Sequence, residues 1–127
     1  MFNTLLVGIG GFFGAIARYQ LGGWVLHHTF EARFPWSTFA VNVVGCFIIG
    51  ALSGLTEKFG ILGASERLFL ITGFLGGFTT FSAFGLETFY LLRRGESFIA
   101  AAYIIASVLV GLVALWGAWK LTGFPSR

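Results

Sequence analysis

The sequence has little charge, almost no cysteine and very little proline. Only 10% of its 127 residues are charged, and it contains one cysteine and two prolines. A single cysteine excludes an internal disulfide and a multi-cysteine metal site. The few basic residues form no stripe, so we predict no nucleic-acid partner. No nucleophile–base pair and no set of metal-binding side chains is visible, so we predict that the protein is not an enzyme.

Apolar residues make up 57% of the chain, and the mean hydropathy is +0.88. This composition is typical of a membrane protein. A bilayer-spanning helix needs about 20 apolar residues, and four runs qualify, at roughly 4–26, 36–56, 67–92 and 97–122. Residues 1–127 are therefore predicted to form a single all-α domain of four spans in contact with lipid. The first residues have no signal-peptide pattern, so we expect the first span to stay in the mature protein.

Lysine and arginine are divided almost evenly between the two membrane faces predicted for this topology. One face would carry Lys58, Arg67, Lys120 and Arg127, and the other Arg33, Arg93 and Arg94, with Arg18 inside the first span. Orientation follows the Lys/Arg bias of short loops. We therefore predict insertion in both orientations, which would permit an antiparallel, dual-topology homodimer. The alternative is that a few positions dominate and one orientation prevails.

The third span contains a segment rich in glycine and hydroxyl groups, from Gly73 to Phe84. Gly76-Gly77 costs a helix roughly 1 kcal/mol per glycine relative to alanine. We predict that the third helix is broken near its middle, and broken backbone at membrane depth is found where it is buried in protein or lines a wet cavity. The alternative is that Gly73 and Gly77, which are four residues apart, only allow close helix packing.

Polar side chains within the spans are costly and suggest a binding or transport site. Thr38, Asn42 and Cys46 share one face of the second helix. Single Ser and Thr hydroxyls usually bond to carbonyls of their own helix. The Asn42 amide is too large for this, and needs a neighbouring helix, a water or a ligand. Further hydroxyls come from the third and fourth spans, at Thr79, Thr80, Ser82 and Ser107.

Phenylalanine recurs at every third position beside the glycines, at Phe78, Phe81 and Phe84. The edge of a phenyl ring is positive, so edges turned inward would help to hold an anion. Such spacing is also typical of ordinary core packing. Two charged residues lie clearly inside spans, Arg18 and Glu87. They are predicted either to form a structural pair or to border a water-filled vestibule.

The chain resembles the small bacterial fluoride channels called Fluc or CrcB. The resemblance extends over nearly the whole chain, and begins with the first-span run Gly10-Gly11-Phe12-Phe13-Gly14-Ala15-Ile16-Ala17-Arg18. It is most specific in three places: the run Gly73-Phe74-Leu75-Gly76-Gly77-Phe78-Thr79-Thr80-Phe81-Ser82-Ala83-Phe84, Glu87 after it, and Thr38-Phe39-Ala40-Val41-Asn42-Val43-Val44-Gly45.

The resemblance implies a fluoride-selective channel that exports fluoride passively across the bacterial cytoplasmic (inner) membrane. Such proteins are dual-topology homodimers with two pores and a central structural Na⁺. By position, Asn42 and the ring edges of Phe81 and Phe84 would line the fluoride path. Thr38, Thr80 and Ser82 would extend a polar track. The backbone carbonyls of Gly76 and Thr79, from both subunits, would hold the Na⁺.

One departure from the family concerns the fourth span. The serine that the family places beside the pore falls here on Gly111, and Ser107 lies one turn away. Two other functions remain as alternatives. A proton-coupled small multidrug exporter needs an acid in the first span, which has no Asp or Glu. A non-transporting membrane subunit would leave Asn42 and the glycine segment unexplained.

Overall fold

The computed structural model describes residues 1–123, and its regular structure consists of helices. Helix α1 spans Phe2–Thr29, α2 spans Trp36–Phe59 and α6 spans Ser97–Gly123. The third span, Ala64–Arg93, is built from several pieces. All four are long and apolar enough to cross a membrane, as predicted. Residues 124–127 lie outside the described residues, and among them is Arg127, which was counted for one membrane face.

The third span changes its helical form twice and is then interrupted once. It begins with α3 (Ala64–Arg67), continues as a π-helical segment (Leu68–Leu75) and a short α4 (Gly76–Phe78), and ends with α5 (Phe81–Arg93). Thr79 and Thr80 between them are extended, with ψ of 158° and 114°. The predicted break near the middle of the third helix is therefore present in the structure.

The break does not lie at the glycine pair itself, which is a correction to the sequence-based expectation. Gly76 and Gly77 are both helical. A Cβ on Gly77 would lie 2.5 Å from the carbonyl oxygen of Gly11, and one on Gly73 would lie 3.0 Å from the Cα of Gly10. Glycine destabilises the helix at these positions, but it allows the backbones of α1 and the third span to approach closely. The packing interpretation of Gly73 and Gly77 is thus right, and the break follows two residues later.

The closest backbone contacts join alternate spans. On α1, Gly10 and Gly14 leave no room for a side chain against the backbone of Phe69 and Phe74 in the third span. On α2, Gly50 and Gly54 similarly meet the backbone of α6, at Leu115 and at Trp119 with Gly123. In both pairs the contacts advance in the same direction along the two helices. Alternate spans therefore run parallel, as in an up-and-down bundle.

Two small buried clusters lie on either side of the break. One contains Val41, Leu75 and Phe78, and the other contains Leu91, Ala100 and Tyr103. Phe78 is 4% exposed, so for this phenylalanine the core interpretation is right. The clusters anchor α4 and α5 separately, which fixes the two halves of the third span around the extended threonines.

Candidate functional site

Asn42 lies beside the break and bonds to it with both ends of its amide. Its Nδ2 donates to the carbonyl oxygen of Thr80 at 3.0 Å, and its Oδ1 accepts from the Thr80 N–H at 2.8 Å. Of the partners left open for this amide, a neighbouring helix, a water or a ligand, the structure shows the neighbouring third span, at its extended residue Thr80. An amide nitrogen carries two hydrogens, and within residues 1–123 only one of them has a partner.

Thr80 caps the second half of the third span. Its Oγ1 accepts from the N–H of Ala83 at 3.3 Å and lies 3.4 Å from the Ser82 Oγ. Thr79 differs, because its hydroxyl donates to Leu75 O of its own helix at 2.8 Å. The hydroxyls of Thr80 and Ser82 therefore lie at the break close to each other, whereas the Thr79 hydroxyl is bonded within the last turn of the first half of the span.

Two hydroxyl groups hold the Glu87 carboxylate. Thr38 Oγ1 donates to Glu87 Oε1 at 2.7 Å, and Tyr103 OH donates to Glu87 Oε2 at 2.7 Å. These bonds join α2, α5 and α6. Sequence reasoning did not select Tyr103, which is fully buried. A tyrosine early in an apolar span was the available signal, because its hydroxyl needs a partner when it is buried.

The two phenylalanines of α5 have different surroundings. Phe81 is 84% exposed, whereas Phe84 is partly buried and packs against Tyr103 with ring centroids 5.0 Å apart. The two phenyl centroids lie 5.6 Å apart. The Phe81 ring is therefore exposed at mid-span. Phe84 contacts both Phe81 and Tyr103, and so links Phe81 to the hydrogen bonds around Glu87.

Arg18 and Glu87 do not form the structural pair that was one of two options for them. The Arg18 guanidinium donates to the carbonyl oxygen of Thr79 at 3.4 Å, and the Glu87 carboxylate is bonded to Thr38 and Tyr103. The vestibule option remains a prediction. It agrees with a cavity of about 290 Å³ whose lining includes Arg18, Thr38, Thr80 and Ser82.

A second cavity, of about 400 Å³, also has Thr80 in its lining. It is largely apolar, and its polar lining includes Asn42, Thr79 and Thr80, with Gly76 and Phe81 at its wall. Thr80 lines both cavities. Five of the six residues predicted for the pore therefore lie around two adjoining spaces, and the sixth, Phe84, contacts Phe81.

The backbone carbonyl oxygens of Gly76 and Thr79, which were predicted to hold Na⁺, each have a lone pair free to bind a cation within residues 1–123. In an unbroken helix the Thr80 N–H would donate to the Gly76 oxygen, but here it donates to Asn42. Thr79 O has one long bond, to Arg18, and a carbonyl oxygen has two lone pairs. Both residues line the 400 Å³ cavity. Hard cations prefer such oxygens, so this donor set fits Na⁺.

The fourth span contributes a serine and not the glycine at the level of Asn42. A Cβ on Gly111 would lie 3.3 Å from Cys46 Sγ, so Gly111 faces α2 of the same chain. Because α2 and α6 run parallel and Gly111 lies opposite Cys46, the residues one turn earlier on each helix, Ser107 and Asn42, also lie at the same level. The Ser107 Oγ is buried and has no hydrogen-bond partner within residues 1–123. Of the two residues left open, Ser107 is the one with a free polar group.

Comparison with known proteins identifies the family. A family model described as CrcB-like protein, Camphor Resistance (CrcB), matches residues 5–119. The chain is 51% identical to a protein of Methylobacillus flagellatus over 121 residues, 95% of this chain and 94% of that protein. It is 50% identical to a Rhizobium etli protein over 91% and 92% of the two chains. Both relatives are named fluoride-specific ion channel FluC. The chain is a multi-pass membrane protein and belongs to the CrcB family.

Proposed function

We propose that the protein is a fluoride-selective channel through which fluoride leaves the cell passively across the bacterial cytoplasmic membrane. The observation that carries the proposal is the Asn42 amide, held at mid-span against the break with one N–H left over, beside the exposed ring of Phe81. The relatives named as fluoride-specific channels support it, and their name is that of a channel and not of an enzyme.

The chemistry of fluoride explains this set of groups. The ion is small and strongly hydrated, so a pore must replace its water with hydrogen-bond donors. The spare N–H of Asn42, the hydroxyls of Thr80 and Ser82 and the ring edges of Phe81 and Phe84 supply donors or positive edges. None of these groups carries a full charge, and conduction requires binding that is weak enough for the ion to leave. The N-terminal end of α5 points its positive dipole at the same place.

Two copies in antiparallel orientation form the working unit in this proposal. In a single protomer the 400 Å³ cavity and Phe81 are open to one side at membrane depth. A second copy would cover that opening and supply the far wall of each pore. The even division of Lys and Arg between the faces supports both orientations. Lipid would contact the remaining outer surface, which carries many exposed apolar side chains.

A structural Na⁺ belongs to the same proposal. The carbonyls of Gly76 and Thr79 from both subunits would hold it, because they are the oxygens that the break leaves available. A bound cation would supply a fixed positive charge near the pores. The Arg18 guanidinium bonds to the same Thr79 carbonyl and adds positive charge at the wall of the 290 Å³ cavity.

The physiological role follows from the membrane potential. In acid surroundings fluoride enters a cell as the neutral acid and is trapped inside as the anion. An open anion channel lets it out under an inside-negative potential, which protects against fluoride toxicity. Proton-coupled drug export is disfavoured, because α1 contains no Asp or Glu to carry the proton.

Flux from liposomes tests the function directly. Purified protein, the only protein present, should release fluoride rapidly, with chloride release no faster than from protein-free liposomes. The reason is that donors at a narrow break can lie close to the small fluoride ion and replace its water, whereas the larger chloride ion does not fit between them. An ion-selective electrode measures each release. Equal rates for the two anions, or no release of either, would refute the channel.

Surface labelling tests the dual orientation. In a Cys46→Ala background, Ile61→Cys places a thiol in the connection between α2 and α3, where Ile61 is 52% exposed. Phe30→Cys places one at the opposite membrane face, at a side chain that is 74% exposed. Each thiol should react with a membrane-impermeant maleimide from both sides of the membrane in similar amounts. Reaction of each from one side only would contradict dual insertion.

A further inference from the structure

The two bonds between Asn42 and Thr80 resemble the pairing of two peptide groups. A side-chain amide has one donor and one acceptor in the arrangement of a backbone peptide, and here it satisfies both main-chain groups of one residue. Thr80 is extended, with φ −150° and ψ 114°, as in a strand. Asn42 thus acts as a short piece of neighbouring strand, 38 residues away in sequence.

This pairing decides which helical carbonyl is released. Within the first half of the span, Thr79 N–H still donates to Leu75 O at 2.9 Å, so the helix is intact up to that bond. The next bond would run from Thr80 N–H to Gly76 O. The Asn42 oxygen has taken that donor at 2.8 Å. Within residues 1–123 Gly76 O therefore lacks the partner that a continuing α-helix would give it, and Gly76 is exposed on the wall of the 400 Å³ cavity.

We propose that Asn42 is a positioning residue for the cation site: by holding Thr80 N–H, its amide oxygen keeps the Gly76 carbonyl free to bind Na⁺. The inference rests on the Na⁺ site proposed above. It assigns different tasks to the two ends of one amide. The oxygen maintains the cation site through Thr80, and the nitrogen carries the N–H offered to fluoride. The cation site and the anion path are thereby joined through one side chain of α2.

The test measures Na⁺ binding separately from flux. Thermal unfolding of the purified protein in detergent is followed as Na⁺ replaces N-methylglucamine at constant ionic strength. Because Na⁺ binds the folded state, the unfolding temperature of the wild type should rise with Na⁺. Asn42→Ala should weaken the apparent Na⁺ affinity about tenfold, which corresponds to about 1.4 kcal/mol. The matched control is Val44→Ala, also on α2, whose side chain is 37% exposed and lines neither cavity; it should leave the Na⁺ response unchanged.

Asn42→Asp separates the two ends of the amide. One carboxylate oxygen still accepts from Thr80 N–H, while the other cannot donate to Thr80 O as Nδ2 does. Because the bond from Thr80 N–H is the one that keeps Gly76 O free, the Na⁺ response should persist. Asn42→Ser, which is too short to make both bonds, serves in place of Asn42→Ala if that variant does not fold. A wild-type Na⁺ response in the alanine or serine variant would overturn the proposal. No Na⁺ response in the wild type itself would instead refute the Na⁺ site.

Discussion

Asn42→Asp is expected to abolish fluoride flux while the protein still folds and dimerises. The substitution keeps the size of the side chain, but it replaces both amide N–H groups, the one offered to the anion and the one bonded to Thr80 O, with a negatively charged carboxylate. Two like charges 4 Å apart repel by about 4 kcal/mol at an effective dielectric constant of 20. That energy corresponds to a loss of about a thousandfold in ion occupancy. Fluoride efflux from liposomes and elution from a sizing column measure the two properties.

The control for this prediction is Thr88→Val, which removes another hydroxyl from within a span. Thr88 Oγ1 donates to Phe84 O of its own helix at 2.8 Å, so its loss leaves no ligand group missing. This variant should conduct fluoride at close to the wild-type rate. If Asn42→Asp also conducted normally, Asn42 would not lie on the anion path.

Gly14→Ala should destabilise the folded protein severely. A Cβ at Gly14 would collide with the backbone carbonyl of Phe74 and lie 2.9 Å from the N–H nitrogen of Phe78. These are main-chain atoms just before the break, so they cannot move aside as a side chain can. Overpacking a tight core usually costs about 1–3 kcal/mol, and we expect the upper end here. The measurement is the unfolding temperature in detergent, together with the fraction recovered as a dimer.

Gly8→Ala is the matched control on the same helix. A Cβ at Gly8 would have no neighbour within 4 Å. Alanine also favours a helix by roughly 1 kcal/mol over glycine, so this variant should be as stable as the wild type or more so. If both variants behaved alike, the close approach of α1 to the third span would not contribute to stability.

The four spans could be predicted because lipid imposes a simple requirement on sequence. Each helix must offer about 20 apolar residues, and a reader of the chain can count them. The interruption of the third span was also predictable, since glycine and hydroxyl residues gather there. Asn42 was selected for a similar reason: a mid-span amide cannot satisfy itself within its own helix.

The position of the break could not be predicted, because two long-range contacts decide it. Gly77 stays helical since Gly11 lies against it, and Thr80 becomes extended since Asn42 takes its N–H. Local propensity disfavours a helix at Gly76-Gly77 by roughly 1 kcal/mol per glycine, and tertiary packing outweighs so small a term. The Glu87 network was missed for the same reason, because Tyr103 reaches Glu87 from a different span.

The pairing of alternate spans has a consequence for biosynthesis. When a ribosome has delivered only α1 and α2 to the bilayer, neither glycine-lined pair exists yet, because α1 needs the third span and α2 needs α6. The first two helices must therefore remain in lipid on their own hydropathy and on the contacts between them, such as the bond from Ser37 Oγ to Gly22 O at 2.9 Å. α1 has the lowest mean hydropathy of the four spans, 1.2 against 2.6 for α6. The nascent chain is therefore anchored in the bilayer most weakly when only its first spans have been made. Synthesis of the third span then lets Gly10 and Gly14 of α1 pack against it.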